Sequence, residues 1–242
     1  MSKLGNFYGI GLGPGDPELI TLKAVKILQE CDVIFYVVSK QSSRSVSGNI
    51  INSLPGVRGE KVQLTFTMKN NTRYKQIANN ANLIKDYLDA GKNCVFATIG
   101  DPLTYSTYGY ILEELKNYYN KKLLIQTVPG VNSWSAVAAE QNKVLVKDTE
   151  KLAICPEYIA DGEIDSDLLK QLDTVVFLKT FKSRQRIVDQ LKKENLTDQY
   201  EITYGSNIGL KNQFISSDLS KIAQRKNEYL ALIINRKKNC EK

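Results

Sequence analysis

Along the first half of the chain, short apolar and β-branched runs alternate with longer stretches in which apolar residues recur every three or four positions. Phe7–Ile10 reads as a strand. A glycine-rich turn and a helix over 17–29 follow, with Asp16 as N-cap, Pro17 at the first helical position, and Leu19, Leu22, Val25 and Leu28 at helical spacing. Val33–Val38 is apolar throughout, as a parallel strand buried on both faces would be. Val62–Phe66 predicts a third strand, and 73–90 an amphipathic helix with Ile77, Ala81, Ile84 and Leu88 on one face. A strand over Asn93–Thr98, a helix over 107–119 and a strand over Leu123–Thr127 complete an α/β half with a mostly parallel sheet.

Val128-Pro129-Gly130 interrupts this pattern, and the expected domains are therefore 1–127 and 128–242. Beyond the turn, a helix over 133–141, strands near 151–155, 174–179, 201–204 and 229–235, and a helix over 183–193 predict a second α/β unit. No internal repeat is present.

Composition adds mainly exclusions. With 42% hydrophobic and 24% charged residues the chain matches an ordinary globular protein. Its longest apolar run falls far short of the roughly 20 residues that span a bilayer, and its first residues lack a signal peptide's apolar stretch, so a cytoplasmic location is expected. Cys31, Cys94, Cys155 and Cys240 are widely separated and read as reduced thiols, with no metal site. There is no histidine, which removes Ser-His-Asp and Cys-His nucleophiles, HExxH metal sites and imidazole proton shuttles. A net charge of +7 suits nucleic acid, an acidic membrane or an anionic small substrate without choosing among them.

Three turns carry candidate chemistry. Gly9-Ile-Gly-Leu-Gly-Pro-Gly-Asp16 follows a strand and opens a helix, where glycines let a ligand approach backbone N–H groups; a turn that only packs strand against helix is the alternative. It is not the dinucleotide fingerprint. A GxGxxG begun at Gly9 meets Pro14, one begun at Gly11 meets Asp16, and the second strand ends in Val37-Val38-Ser39 without an acid. Ile99-Gly-Asp-Pro-Leu-Thr-Tyr-Ser-Thr107 comes directly after the fourth strand, on the edge where open α/β sheets bind ligands. Its alternative reading is a Gly-Asp-Pro turn with a Ser/Thr helix cap. Val128-Pro-Gly-Val-Asn-Ser133 is the third turn.

Together, GxGxGPGDPELITLKAV at 9–25, GDPLTYST at 100–107 and VPGVNSxSA at 128–136 are similar to the tetrapyrrole methylase family. GDPLTYSTYGYILEEL at 100–115, KLAICPE at 151–157 and LTFTM at 64–68 resemble its precorrin-2 C(20)-methyltransferase branch. The resemblance implies two α/β domains, usually in a homodimer, with S-adenosylmethionine in the inter-domain cleft and precorrin-2 or its cobalt complex above it. It implies cofactor contacts at Pro14, Ile99, Gly100, Asp101, Thr104, Asn132 and Ser133, and at Leu178, Lys179 and Gly205 in the second domain. Asp16, Tyr105, Ser106, Lys40 and Arg44 become candidate substrate contacts.

The implied substrate is an anionic tetrapyrrole with eight carboxylates. Lys69, Arg73, Lys179, Lys182 and Arg184 join Lys40 and Arg44 as cations able to rim the cleft, although each taken singly reads more readily as a solvated surface charge; Tyr105, Tyr108 and Trp134 could offer ring faces, although aromatics at helical spacing are more often core. No catalytic residue is assigned: uroporphyrinogen methylases of this family carry an acid after the second strand, where this chain has Val37. Either the base lies elsewhere or none is needed. A different corrin carbon, an rRNA ribose, or non-catalytic binding of a tetrapyrrole or nucleotide are the other readings. Nucleic acid is disfavoured for want of a basic stripe interleaved with aromatics.

Overall fold

Parallel strands need helical crossovers, and the first unit, Met1–Asn132, is built from them. The computed structural model describes residues 3–38, 45–66, 70–156, 166–181, 183–226 and 228–238, with backbone only for 70–71 and 166–168. The unit's elements are β1 (Phe7–Gly11), α1 (Leu22–Glu30), β2 (Val33–Val38), α2 (Val46–Ser53), β3 (Glu60–Thr65), α3 (Asn70–Asp89), β4 (Cys94–Thr98), α4 (Tyr108–Tyr119) and β5 (Ile125–Val128). The strands pair in the order β3-β2-β4-β1-β5, all parallel.

Side chains alternate across this sheet into two cores. Phe7, Val33, Phe35 and Phe96 meet the Ile77, Ala81, Ile84 and Leu88 stripe of α3 and the Ile111 and Leu115 face of α4. Ile10, Ile34, Val95 and Ala97 meet Ala24 and Leu28 of α1 and Ile50 and Ile51 of α2. Burial on both faces explains why β2 and β4 read as unbroken apolar runs.

The segment after β1 departs from its predicted form. Asp16 accepts from the Glu18 N–H at 2.9 Å but caps only a 3-10 turn, Pro17–Leu19; α1 starts three residues later, with Thr21 Oγ1 accepting from Ala24 N at 3.2 Å. The interruption resets the helical phase. Of the predicted 19/22/25/28 stripe, Leu28 is buried and Val25 packs against the core half-buried, whereas Leu22 is 81% exposed and Leu19 is exposed; Ala24, outside the stripe, is buried beside Leu28. The α2 helix was not predicted because its buried positions include Ser47 and Gly48, which give no apolar period.

The second unit, Ser133–Lys242, contains α5 (Ser133–Glu140), β6 (Leu152–Pro156), α6 (Ser166–Gln171), β7 (Thr174–Leu178), α7 (Arg184–Lys193), β8 (Tyr200–Ser206), β9 (Phe214–Ser216), α8 (Leu219–Gln224) and β10 (Ala231–Lys237). Its sheet runs β6-β7-β10-β8-β9, with only β6 and β7 parallel. Helices α6, α7 and α8 cover one face and α5 the other. The short α6, β9 and α8 fell below the length at which periodicity can be read. The chain divides five residues past the expected 127/128 boundary, because Pro129-Gly130 stays packed on the first sheet's loops. Among the described residues no helix is long and apolar enough to cross a membrane.

Candidate functional site

Because the first sheet is parallel and β1 lies between β4 and β5, the turns leaving these three strands emerge side by side on one edge. Backbone bonds then tie them together. Leu12 N donates to Thr98 O at 2.8 Å, and Gly100 N to Gly13 O at 2.7 Å, which joins the first turn to the second. Gly130 N donates to Asp101 Oδ2 at 3.1 Å, joining the third turn to the second. The other Asp101 oxygen accepts from Leu103 N at 2.9 Å and from the Thr104 hydroxyl at 3.3 Å. The Asp101 carboxylate is thus a knot between two turns rather than a group projecting from one.

The glycines allow this approach. A Cβ on Gly130 would lie 2.2 Å from Gly100 O and 2.9 Å from Gly11 Cα, so no other residue fits without moving backbone. Gly100 differs: its φ is +70°, and a Cβ built there meets nothing within 4 Å, so this half-buried glycine borders open space. Gly9, at the head of the glycine-rich motif, has another role. The Tyr108 ring crosses β1 where a Gly9 Cβ would stand, and its hydroxyl bonds Thr127 Oγ1 at 2.7 Å. Gly9 therefore serves packing, while Gly11 and Gly13 lie where the turns meet.

Pro14, Ile99, Gly100, Asp101 and Thr104 gather on this edge through the loops that follow β1 and β4, and Asn132, within the third turn, ends the unit. In the second unit, Leu178 and Gly205 both pair with Leu232 and occupy one rung of the sheet, and Lys179 follows β7 at φ +62°. Gly205 is also tightly packed, since a Cβ there would meet Val137 at 2.6 Å. Ser133 opens α5.

Several candidate side chains are engaged within the chain. The Asp16 carboxylate caps its own turn. Ser106 donates to Thr98 Oγ1 at 3.1 Å and accepts from Tyr108 N at 3.2 Å, so it, not Thr107, caps α4. Tyr108 and Trp134 are core residues, the commoner of the two readings for aromatics at helical spacing, and offer no ring face; Tyr105, at φ +51°, remains 46% exposed. Arg184 is corrected: it is buried, and its guanidinium bonds the Lys226 carbonyl at 3.1 Å and the Arg225 carbonyl, so it does not rim an open site. Arg73 lies over the Tyr110 ring. Lys40, Arg44, Lys69, Lys182 and Cys240 lie outside the described residues.

Val37 packs against the core beneath α3 and α4, so the end of β2 presents no base there. Burial pushes the Cys31 and Cys94 thiols up to about 12 and raises that of Cys155, which disfavours the nucleophilic thiolate at all three. The sequence marked the glycine-rich and Val128–Ser133 turns but not the separate roles of Gly11, Gly13 and Gly130 within them, because those depend on contacts with turns nearly ninety or more residues away or, for Gly130, with Asp101 across 29.

The sequence profile of the Tetrapyrrole (Corrin/Porphyrin) Methylases matches residues 6–223. The chain belongs to the tetrapyrrole methylase family. This methylase is 34% identical, over 74% of each chain, to a Methanocaldococcus jannaschii protein named "Probable cobalt-precorrin-2 C(20)-methyltransferase". It is 28% identical to the cobalt-precorrin-2 C(20)-methyltransferase of Salmonella typhimurium over 80% of this chain and 81% of that one. Its fold is that of the Thermus thermophilus uroporphyrin-III C-methyl transferase solved with S-adenyl homocysteine, with a TM-score of 0.69, 23% identity, and coverage of 96% of this chain and 97% of that one.

Proposed function

We propose that this methylase transfers a methyl group from S-adenosylmethionine to C(20) of precorrin-2 or cobalt-precorrin-2, giving the corresponding precorrin-3 in cobalamin biosynthesis. The observation that carries the reading is the three-turn cradle, in which the Gly100 peptide borders open space while Asp101 locks the neighbouring turns. The names of the Methanocaldococcus and Salmonella relatives support the choice of C(20). In the first unit Pro14, Ile99, Gly100, Thr104 and Asn132 would hold the methyl donor, with Asp101 fixing the backbone they present.

When bound, S-adenosylmethionine supplies an activated sulfonium methyl. The work left to the chain is to hold the donor in line with an electron-rich ring carbon and to exclude water, and a rigid backbone cradle does this without a strong base. That agrees with a chain that has no histidine and has Val37 in the core. Tyr105 is the candidate for ring contact, and the +7 charge suits a substrate rich in carboxylates. The protein works as a cytoplasmic homodimer in this reading; sedimentation at micromolar concentration is expected to give a dimer, and a monomer would remove that part.

The test is mass spectrometry of products after parallel incubation with precorrin-2, cobalt-precorrin-2 and uroporphyrinogen III. One added methyl at C(20) on either precorrin is expected, and its presence on only one decides the metal. Methylation of uroporphyrinogen III alone, or of none, would overturn the proposal.

A further inference from the structure

Arg73 in the first turn of α3 and Tyr110 in the first turn of α4 follow the C-terminal ends of the parallel strands β3 and β4. They therefore stand on the same sheet edge as the three-turn cradle. The Arg73 guanidinium carbon is 4.4 Å from the centre of the Tyr110 ring. Among the described residues, Lys85, Arg184 and Arg225 also lie over rings, and each is bonded to an acceptor as well. Lys85 pairs with Asp89 at 3.2 Å, Arg225 with Glu228 at 3.1 Å, and Arg184 bonds two carbonyls. Arg73 alone of the four has neither a carboxylate nor a carbonyl partner among the described residues.

We propose that the Arg73–Tyr110 pair is the seat for one peripheral carboxylate of the tetrapyrrole; this rests on the anionic tetrapyrrole reading above. The ring face holds the guanidinium plane in place, so less rotamer freedom is lost when its two parallel N–H donors take a carboxylate. The surroundings suit a ligand that joins an apolar macrocycle to acid side chains. Leu103 and Tyr105 are exposed in the loop between β4 and α4, and Tyr74 beside Arg73 is 80% exposed.

The test uses uroporphyrin III, a stable octacarboxylate, titrated by fluorescence into the full-length protein, with S-adenosylhomocysteine titrated separately by calorimetry. Arg73→Ala is expected to weaken porphyrin binding about tenfold, the effect of losing a charge-assisted hydrogen-bond pair, and to leave S-adenosylhomocysteine affinity unchanged. Arg73→Lys is expected to recover part of the loss, and Tyr110→Leu to lie between wild type and Arg73→Ala. Porphyrin affinity equal to wild type in Arg73→Ala, with or without a lower melting temperature, would reduce the pair to a helix clamp and overturn the proposal. A wild-type protein that binds no porphyrin would remove the tetrapyrrole reading and this seat with it, whereas a fall in S-adenosylhomocysteine affinity in all three variants would show a disturbed cradle instead.

Discussion

At Gly130 one hydrogen atom determines whether the cradle closes. Gly130→Ala puts a Cβ into the Gly100 carbonyl, which is backbone and cannot rotate away. A stability loss of about 1–3 kcal/mol is expected, with S-adenosylhomocysteine binding abolished in calorimetry. Gly109→Ala is the control: apart from the backbone of its own helix, nothing lies within 4 Å of its new Cβ in α4, so a gain of about 0.5–1 kcal/mol in thermal unfolding is expected. Asp101→Ala frees the Gly130 N–H and the Thr104 hydroxyl. It is expected to lower S-adenosylhomocysteine affinity about tenfold, while undiminished affinity would show that the knot between turns does not shape the site. The thiols give a further test. With Cys31 and Cys94 pushed up to about 12 by burial, both are expected to resist alkylation at pH 8 in the native protein and to label fully after denaturation, as read by peptide mass spectrometry.

At the scale of elements, the β1 to α1 connection shows how a well-signalled start can be misassigned. Asp16-Pro17 has every local mark of a helix N-terminus, but the helix that packs begins under Thr21. Thr21→Ala is expected to lower stability by about 1 kcal/mol and the melting temperature by about 2–4 °C, and Asp16→Ala by clearly less, because it caps a single turn. Helix α3 was legible for the opposite reason. Its four core residues stay in one phase over its length, so the stripe read from Ile77, Ala81, Ile84 and Leu88 is the buried one. In the second unit the longer strands were visible, but β9 has three residues and α8 six, and neither completes enough of a period to register.

At the scale of the whole molecule, 33 basic residues against 26 acidic ones create a positive field that no single contact represents. Uroporphyrin III affinity is therefore expected to fall as salt rises from low to physiological concentration, where the screening length is about 8 Å. S-adenosylhomocysteine affinity should change little if, as proposed, its contacts are made with backbone at short range. Equal salt dependence for the two ligands would argue that the net charge has no part in substrate capture.

The order of glycine and GDP turns along the chain was enough to determine the family and the strand-turn-helix units, because those depend on local spacing and on residues with special backbone freedom. The absence of histidine likewise limited the chemistry before any contact was known. Only the tertiary structure decided which members of each motif meet where the three turns converge. Strand order put β1 between β4 and β5, turned Gly9 toward Tyr108 and Gly11 toward Gly130, spent the Asp101 carboxylate on a neighbouring turn, and set Arg73 against Tyr110. Those are contacts between segments far apart in the chain, and local pattern carries no information about which distant segment will become the neighbour.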